Sequence, residues 1–140
     1  TQGVSSAASD VYKRQHIYED AYSRLCEWRA QGLRLGIFSS GSCKAQQLLF
    51  AHTPFGDLTP LFDFYFDTGV GMKQSPEAYL KIAQEMGTEC SSILFLSDIE
   101  AELNAASSVG YRTTLLQRDT DQLTNTSHHA VARSFLEITP

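Results

Sequence analysis

Residues 33–42 read LRLGIFSSGS, an apolar run broken only by Arg34 that ends abruptly in small polar residues, and CKAQQLLFA comes next with helical spacing. The stretch therefore reads as a strand, a tight turn and a helix start. A short strand this apolar belongs in a sheet buried on both faces, which is the habit of parallel sheets. Ser39 and Ser40 fall where the strand stops and the helix begins. Unpaired backbone N–H groups and the positive end of the helix dipole converge at such a point. Two hydroxyls there suit a phosphate, and Gly41 lets the backbone approach it closely. Serine at this place also serves simply as a helix cap, so Ser40 or Ser42 can be explained without any ligand.

The rest of the chain repeats the alternation. Residues 16–31 read as a helix with Ala21, Leu25 and Trp28 on one face, Asp20 or Glu19 at its start and Gly32 at its end. The helix after the Ser39 turn runs over residues 42–51 and stops before Thr53-Pro54. DFYFDT, residues 63–68, is a short aromatic strand, and GVGMKQ is a loop. Ser75-Pro76-Glu77 opens a helix, with proline at its first position and an acid in its first turn, and Gly87 closes it. Residues 93–96 form a third strand that ends in Ser97-Asp98. A helix then continues to Gly110, with Ser97 and Glu100 at capping-box spacing. Residues 111–117 are a fourth strand and residues 118–129 a polar loop. AVARSFLEI is either a last strand or a strand and a short helix.

Residues 1–15, TQGVSSAASDVYKRQ, differ from the remainder of the chain: they are small and polar, without sustained periodicity. They read as a disordered or non-native leader outside the fold, and SSAASDVYKRQ resembles a leader found at the front of some translated sequence assemblies. The folded domain is expected to occupy residues 16–140.

A chain of 140 residues fits one domain with a substantial core. Its net charge of −5 argues against nucleic-acid binding through a basic surface. Cys26, Cys43 and Cys90 form neither a CxxC pair nor a disulfide framework, which points to a reducing compartment. The four histidines show no HExxH pattern. No apolar run is long enough to span a membrane, and cytoplasm is the expected compartment.

Strands alternating with helices imply an α/β fold with a Rossmann-like parallel sheet. In such sheets the carboxyl ends of the strands share one edge, where ligands bind. Ser39 and Ser40 end the first apolar strand, Lys73 lies on the loop after the second, and Asp98 ends the third. Two hydroxyls, a cation and a carboxylate are thus expected at one edge. Together they suit phosphate handling: the serines and the helix N–H groups for phosphoryl oxygens, Lys73 for charge, and Asp98 as a hard oxygen ligand for Mg²⁺. Taken singly, Lys73 reads as a solvated loop lysine and Asp98 as an N-cap. Glu100 and Glu102 read as solvated helix faces or cap partners.

FSSGS, AQQLLFAHTPFGDLTPLFDFYFDT, GMK and ILFLSDIEAELNAA together resemble the enolase-phosphatases of methionine salvage, also called acireductone synthases, in the haloacid dehalogenase superfamily. The resemblance runs over residues 16–138. It implies that Ser39, Ser40 and Lys73 bind the substrate phosphate and that Asp98 binds Mg²⁺. It also implies conversion of a diketo-methylthiopentyl phosphate, a small-molecule phosphate ester, to an acireductone by a monomeric enzyme with no nucleic-acid or membrane partner. The family's nucleophile is an aspartate in an early DxEGT-like motif, which this chain lacks, as it lacks most of the helical cap. No catalytic nucleophile is therefore assigned. The expected sheet lacks its nucleophile strand, which leaves two neighbouring strands with unpaired edges and the isolated chain inactive and marginally folded or oligomeric. Two alternatives stay open: another small-molecule phosphatase of the same superfamily, and a non-catalytic α/β binding module.

Overall fold

The computed structural model of the chain describes residues 3–6, 12–13, 16–117 and 129–140. Strand β1 (Gly3–Ser6) precedes a short antiparallel pair, β2 (Tyr12–Lys13) and β3 (His16–Ile17). The alternation then runs through α1 (Glu19–Ala30), β4 (Arg34–Phe38), α2 (Cys43–Ala51), β5 (Phe64–Phe66) and α3 (Pro76–Met86). It continues as β6 (Ile93–Ser97), α4 (Glu100–Ser108), β7 (Arg112–Leu116) and β8 (Ala130–Ala132). A 3-10 turn at Phe135–Glu137 comes after β8, so the chain's end is a strand and a short helix. Among the described residues no helix is long and apolar enough to cross a membrane.

The main sheet has the order β5-β4-β1-β6-β7-β8, and every neighbouring pair is parallel. Alternation along β6 shows how it is buried. Leu94 and Leu96 join a core with Ala21, Leu25 and Trp28 of α1 and Phe50 of α2. Ile93 and Phe95 join a second core with Tyr79, Ile82 and Met86 of α3 and Leu103 and Ala106 of α4. Successive side chains point to opposite faces of a strand, so two helical layers cover a sheet that is apolar on both sides. Gly36 is where β4 needs no side chain, because a Cβ there would stand 3.3 Å from the Phe64 Cβ of β5.

The helix ends match the sequence signals in part. Ser42 caps α2, its hydroxyl accepting from the Ala45 N–H at 3.1 Å. Pro76 opens α3, and Gly87 ends it at φ 63° and ψ 34°, the left-handed conformation that suits glycine. Helix α1 starts later than expected because residues 16–17 pair with β2. Its N-cap is Tyr18, and Asp20 does not cap it. Instead the Asp20 carboxylate accepts from the Phe135 N–H at 2.8 Å, and Arg24 of the same helix donates to the Ile138 carbonyl at 2.6 Å. Charged groups on α1 thus satisfy backbone groups of the final 3-10 turn that have no ladder partner.

The largest departure from the sequence reading concerns residues 1–15. Gly3–Ser6 does not lie outside the fold but fills the middle of the sheet. Gly3 through Ser6 pair with Arg34 through Ile37 on one side and with Ile93 through Leu96 on the other. The position expected to be vacant is occupied, although by a strand without an aspartate. Side-chain polarity and poor alternation argue against a strand in this segment, whereas a ladder requires only backbone N–H and C=O groups. Strands β4 and β6, buried on both faces, would otherwise leave such groups unpaired in the core, which is costly. Ser5→Pro should therefore remove an N–H from a strand bonded on both sides and cost on the order of 2 kcal/mol. Thermal or denaturant unfolding checks this, and an unchanged midpoint would mean that residues 3–6 contribute no central strand.

Candidate active site

The turn after β4 is held by its own polar groups. Ser39 is half-buried and Ser40, Gly41 and Ser42 are exposed. The Ser39 N–H donates to the Phe66 carbonyl at 3.1 Å, which ties the exit of β4 to the end of β5. Its hydroxyl accepts from the Gly41 N–H at 3.3 Å. The Cys43 N–H, at the first turn of α2, donates to the Asp67 carboxylate at 3.2 Å. Hydrogen bonds from the Gly69 N–H first, and then from the Cys43 thiol and N–H, hold the Asp67 carboxyl below the usual carboxylate range. Some of the helix-end donors expected for a ligand are thus already used. The N–H groups of Ser40, Ser42 and Lys44 find no acceptor among the described residues.

Lys73 is placed from three directions. Its carbonyl accepts from the Tyr79 hydroxyl at 2.5 Å, with Tyr79 itself fully buried in α3. Burial, with the charge of Glu102 behind it, pushes the Tyr79 phenol well above its ordinary value, so it stays a neutral donor. The Lys73 ammonium stands 5.9 Å from the centroid of the Phe38 ring and 3.2 Å from Glu102 Oε1. Glu102 is only 4% exposed, which corrects its reading as a solvated helix face. Its Oε1 also accepts from the Ser97 hydroxyl at 3.0 Å. A buried carboxylate is tolerated when it is paired and hydrogen-bonded in this way.

The capping box of Ser97 and Glu100 does not form. Ile99 is the N-cap of α4, and the Ser97 hydroxyl accepts the Ile99 N–H at 3.0 Å while donating to Glu102. Glu102 could have been found from spacing. Residues 102, 105, 106 and 109 obey the i, i+3, i+4, i+7 rule, and Ala105 and Ala106 are buried. Asp98 lies just beyond β6, exposed, with no hydrogen bond or ion pair among the described residues. Among those residues no group of three or more His, Cys, Asp or Glu side chains stands close enough to hold a metal ion.

A cleft of about 450 Å³ opens at the carboxyl edge of the sheet, lined by Ser40, Thr68, Met72, Lys73, Gln74, Ile99 and Glu102. It brings Ser40 and Lys73 together. Ser39 sits at the turn beneath Ser40, and Asp98 sits beside Ile99, outside the lining. The strand order reverses around β1, so the cleft lies near the topological switch point, where open α/β sheets bind ligands. Residues 118–128 of the expected polar loop lie outside the described residues.

A family model described as haloacid dehalogenase-like hydrolase matches residues 6–110. The chain is 53% identical over 125 residues to "Enolase-phosphatase E1" of Methylococcus capsulatus, covering 89% of this chain and 54% of that protein. It is 52% identical over 120 residues to the protein of the same name in Thioalkalivibrio sulfidiphilus, covering 86% and 53%. The chain thus spans about half the length of the curated relatives it matches. Among solved structures it superimposes on the UTR4 protein of Saccharomyces cerevisiae with a TM-score of 0.78 at 33% identity, covering 88% of this chain and 58% of that one. An L-2-haloacid dehalogenase of Xanthobacter autotrophicus shares the fold, with a TM-score of 0.71 at 18% identity over 86% of this chain and 58% of that one. The parallel sheet, the site at its carboxyl edge and a family model matching residues 6–110 agree: the chain belongs to the haloacid dehalogenase-like hydrolases.

Proposed function

We propose that the chain is part of a magnesium-dependent phosphatase of the enolase-phosphatase type, acting in methionine salvage. The whole protein would convert a diketo-methylthiopentyl phosphate to an acireductone, as a cytoplasmic monomer. The observation that carries this reading is the shared cleft of Ser40 and Lys73 at the carboxyl edge, with Asp98 beside it. Half-identity to proteins named enolase-phosphatase favours this type over other phosphatases of the family.

In this reading the hydroxyls of Ser39 and Ser40 and the open N–H groups of the turn hold phosphoryl oxygens. Lys73 keeps its bond to Glu102 and still has donors to spare, because an ammonium carries three. Glu102 therefore fixes where the positive charge sits without removing it from a ligand. Asp98 suits Mg²⁺, which takes one or two carboxylates and keeps several waters, and its carboxylate is exposed and unengaged among the described residues. Glu102 is engaged through its Oε1 with Lys73 and Ser97. The metal, when bound, neutralises charge on the transferring phosphoryl group.

Strand β1 offers glycine, valine and two serines where the family's nucleophile strand would lie. The chain by itself is therefore expected to fold and yet to release no phosphate from the diketo ester with Mg²⁺, while a full-length relative restored around residues 16–140 does. Turnover by the chain alone would require a nucleophile within it and would overturn the reading of β1 as a strand that lacks one, while supporting the phosphatase activity itself. In the full-length enzyme, Asp98→Asn should weaken Mg²⁺ binding at least about tenfold, because the metal depends on so few protein ligands. Calorimetric Mg²⁺ titration of wild type and variant checks this, and equal affinity would remove Asp98 from the site.

A further inference from the structure

Gln46, in the first turns of α2, is 3% exposed. Its Nε2 donates to the Gly41 carbonyl at 2.8 Å and to the Phe66 carbonyl at 2.9 Å. Both neighbours are carbonyl oxygens, so the amide nitrogen and not the amide oxygen must face them. The Oε1 atom is left buried without a partner. An orphaned buried acceptor is destabilising, and a methionine of similar length would fill the same space without one. The core alone does not explain this residue.

Its two acceptors do. Gly41 lies in the turn after β4, and Phe66 ends β5 and already accepts the Ser39 N–H. One side chain thus ties the far end of the Ser39–Ser42 turn to the same carbonyl that holds its near end. A trans peptide unit is planar, so the Gly41 C=O and the Ser42 N–H point in opposite directions. Drawing the Gly41 oxygen in toward Gln46 turns the Ser42 N–H outward, away from the core. That N–H has no acceptor among the described residues.

We infer that Gln46 is a positioning residue that holds the Ser39–Ser42 turn in the conformation receptive to a tetrahedral oxyanion. The inference rests on the reading of Ser39 and Ser40 as phosphate binders. It assigns a role to a buried glutamine of α2, a helix whose other buried residue is Phe50. Gln46 acts through the Gly41–Ser42 peptide and does not touch the anion.

The test is a titration of the 140-residue chain with inorganic phosphate, monitored by amide ¹H–¹⁵N spectra, with thermal unfolding in parallel. The unaltered chain should show saturable shifts at residues 39–42. Gln46→Met removes both donors together with the orphan acceptor; the Phe66 carbonyl keeps the Ser39 N–H and the exposed Gly41 can turn its carbonyl to water, so the unfolding midpoint should stay close to that of the parent. Its phosphate affinity should fall by about tenfold or more, the worth of a hydrogen bond to a charged group, and the Ser42 response should disappear. Gln46→Glu sets a carboxylate against two carbonyl oxygens at neutral pH and should lose affinity as well. A folded Gln46→Met chain that binds phosphate within about twofold of the parent, with the Ser42 response intact, overturns the inference while leaving the phosphate site standing. Failure of both variants to fold would make Gln46 a stability residue and overturn it too. Absence of any saturable response in the unaltered chain would overturn the phosphate reading itself, and this inference with it.

Discussion

The backbone ladder that joins β4, β1 and β6 is the constraint on which the structure depends. β4 and β6 carry apolar side chains to both helical layers, so their polar backbone groups have nowhere to go but to neighbouring strands. Without β1 each of the two would present an open edge in the centre of the molecule. Gly3–Ser6 closes both edges with one extended segment. The separation between the ends of β4 and β6 is thereby fixed at the width of one intervening strand. That separation sets where Ser39 and Ser40 stand relative to Asp98.

The site inherits its order from the same layers. The Lys73 carbonyl hangs on Tyr79, whose ring packs edge-on against Phe38 at 5.5 Å. The ammonium is fixed by a carboxylate that the second core buries, and that carboxylate is fixed in turn by the hydroxyl that ends β6. A charge held by packed elements costs little rearrangement when a ligand arrives, which is how positioning serves phosphoryl transfer. Gln46 and Glu102 are alike in being buried polar side chains, one hydrogen-bonded to the Gly41 carbonyl of the serine turn and the other paired with Lys73.

Much of this is legible in the residue pattern. The apolar runs at residues 33–38 and 93–96 announce strands buried on both faces, and the Ser75-Pro76-Glu77 and Gly87 signals bound α3. Parallel topology alone places Ser39, Ser40, Lys73 and Asp98 along one edge, and of these Ser40 and Lys73 line the cleft. The hidden part is carried by backbone groups or by polar residues with buried partners. GVSS has no strand-like pattern, and its place is set by what β4 and β6 lack. Asp20 carries the signature of a cap, yet it answers to Phe135, more than a hundred residues away. Glu102 and Gln46 belong to residue types that usually face water, and only helical spacing places them on the buried stripe. Ser97 has the spacing of a local box with Glu100, whereas its hydroxyl turns to Glu102.

Amide hydrogen exchange measured residue by residue tests the central claim most directly. If β1 completes the sheet, amides of β4 and β6 should be protected whichever neighbour they face, and residues 3–6 should exchange slowly in the same cooperative unit. Fast exchange of residues 3–6, together with the amides of β4 and β6 that face them, would contradict the account, most clearly if the amides facing β5 and β7 stayed protected.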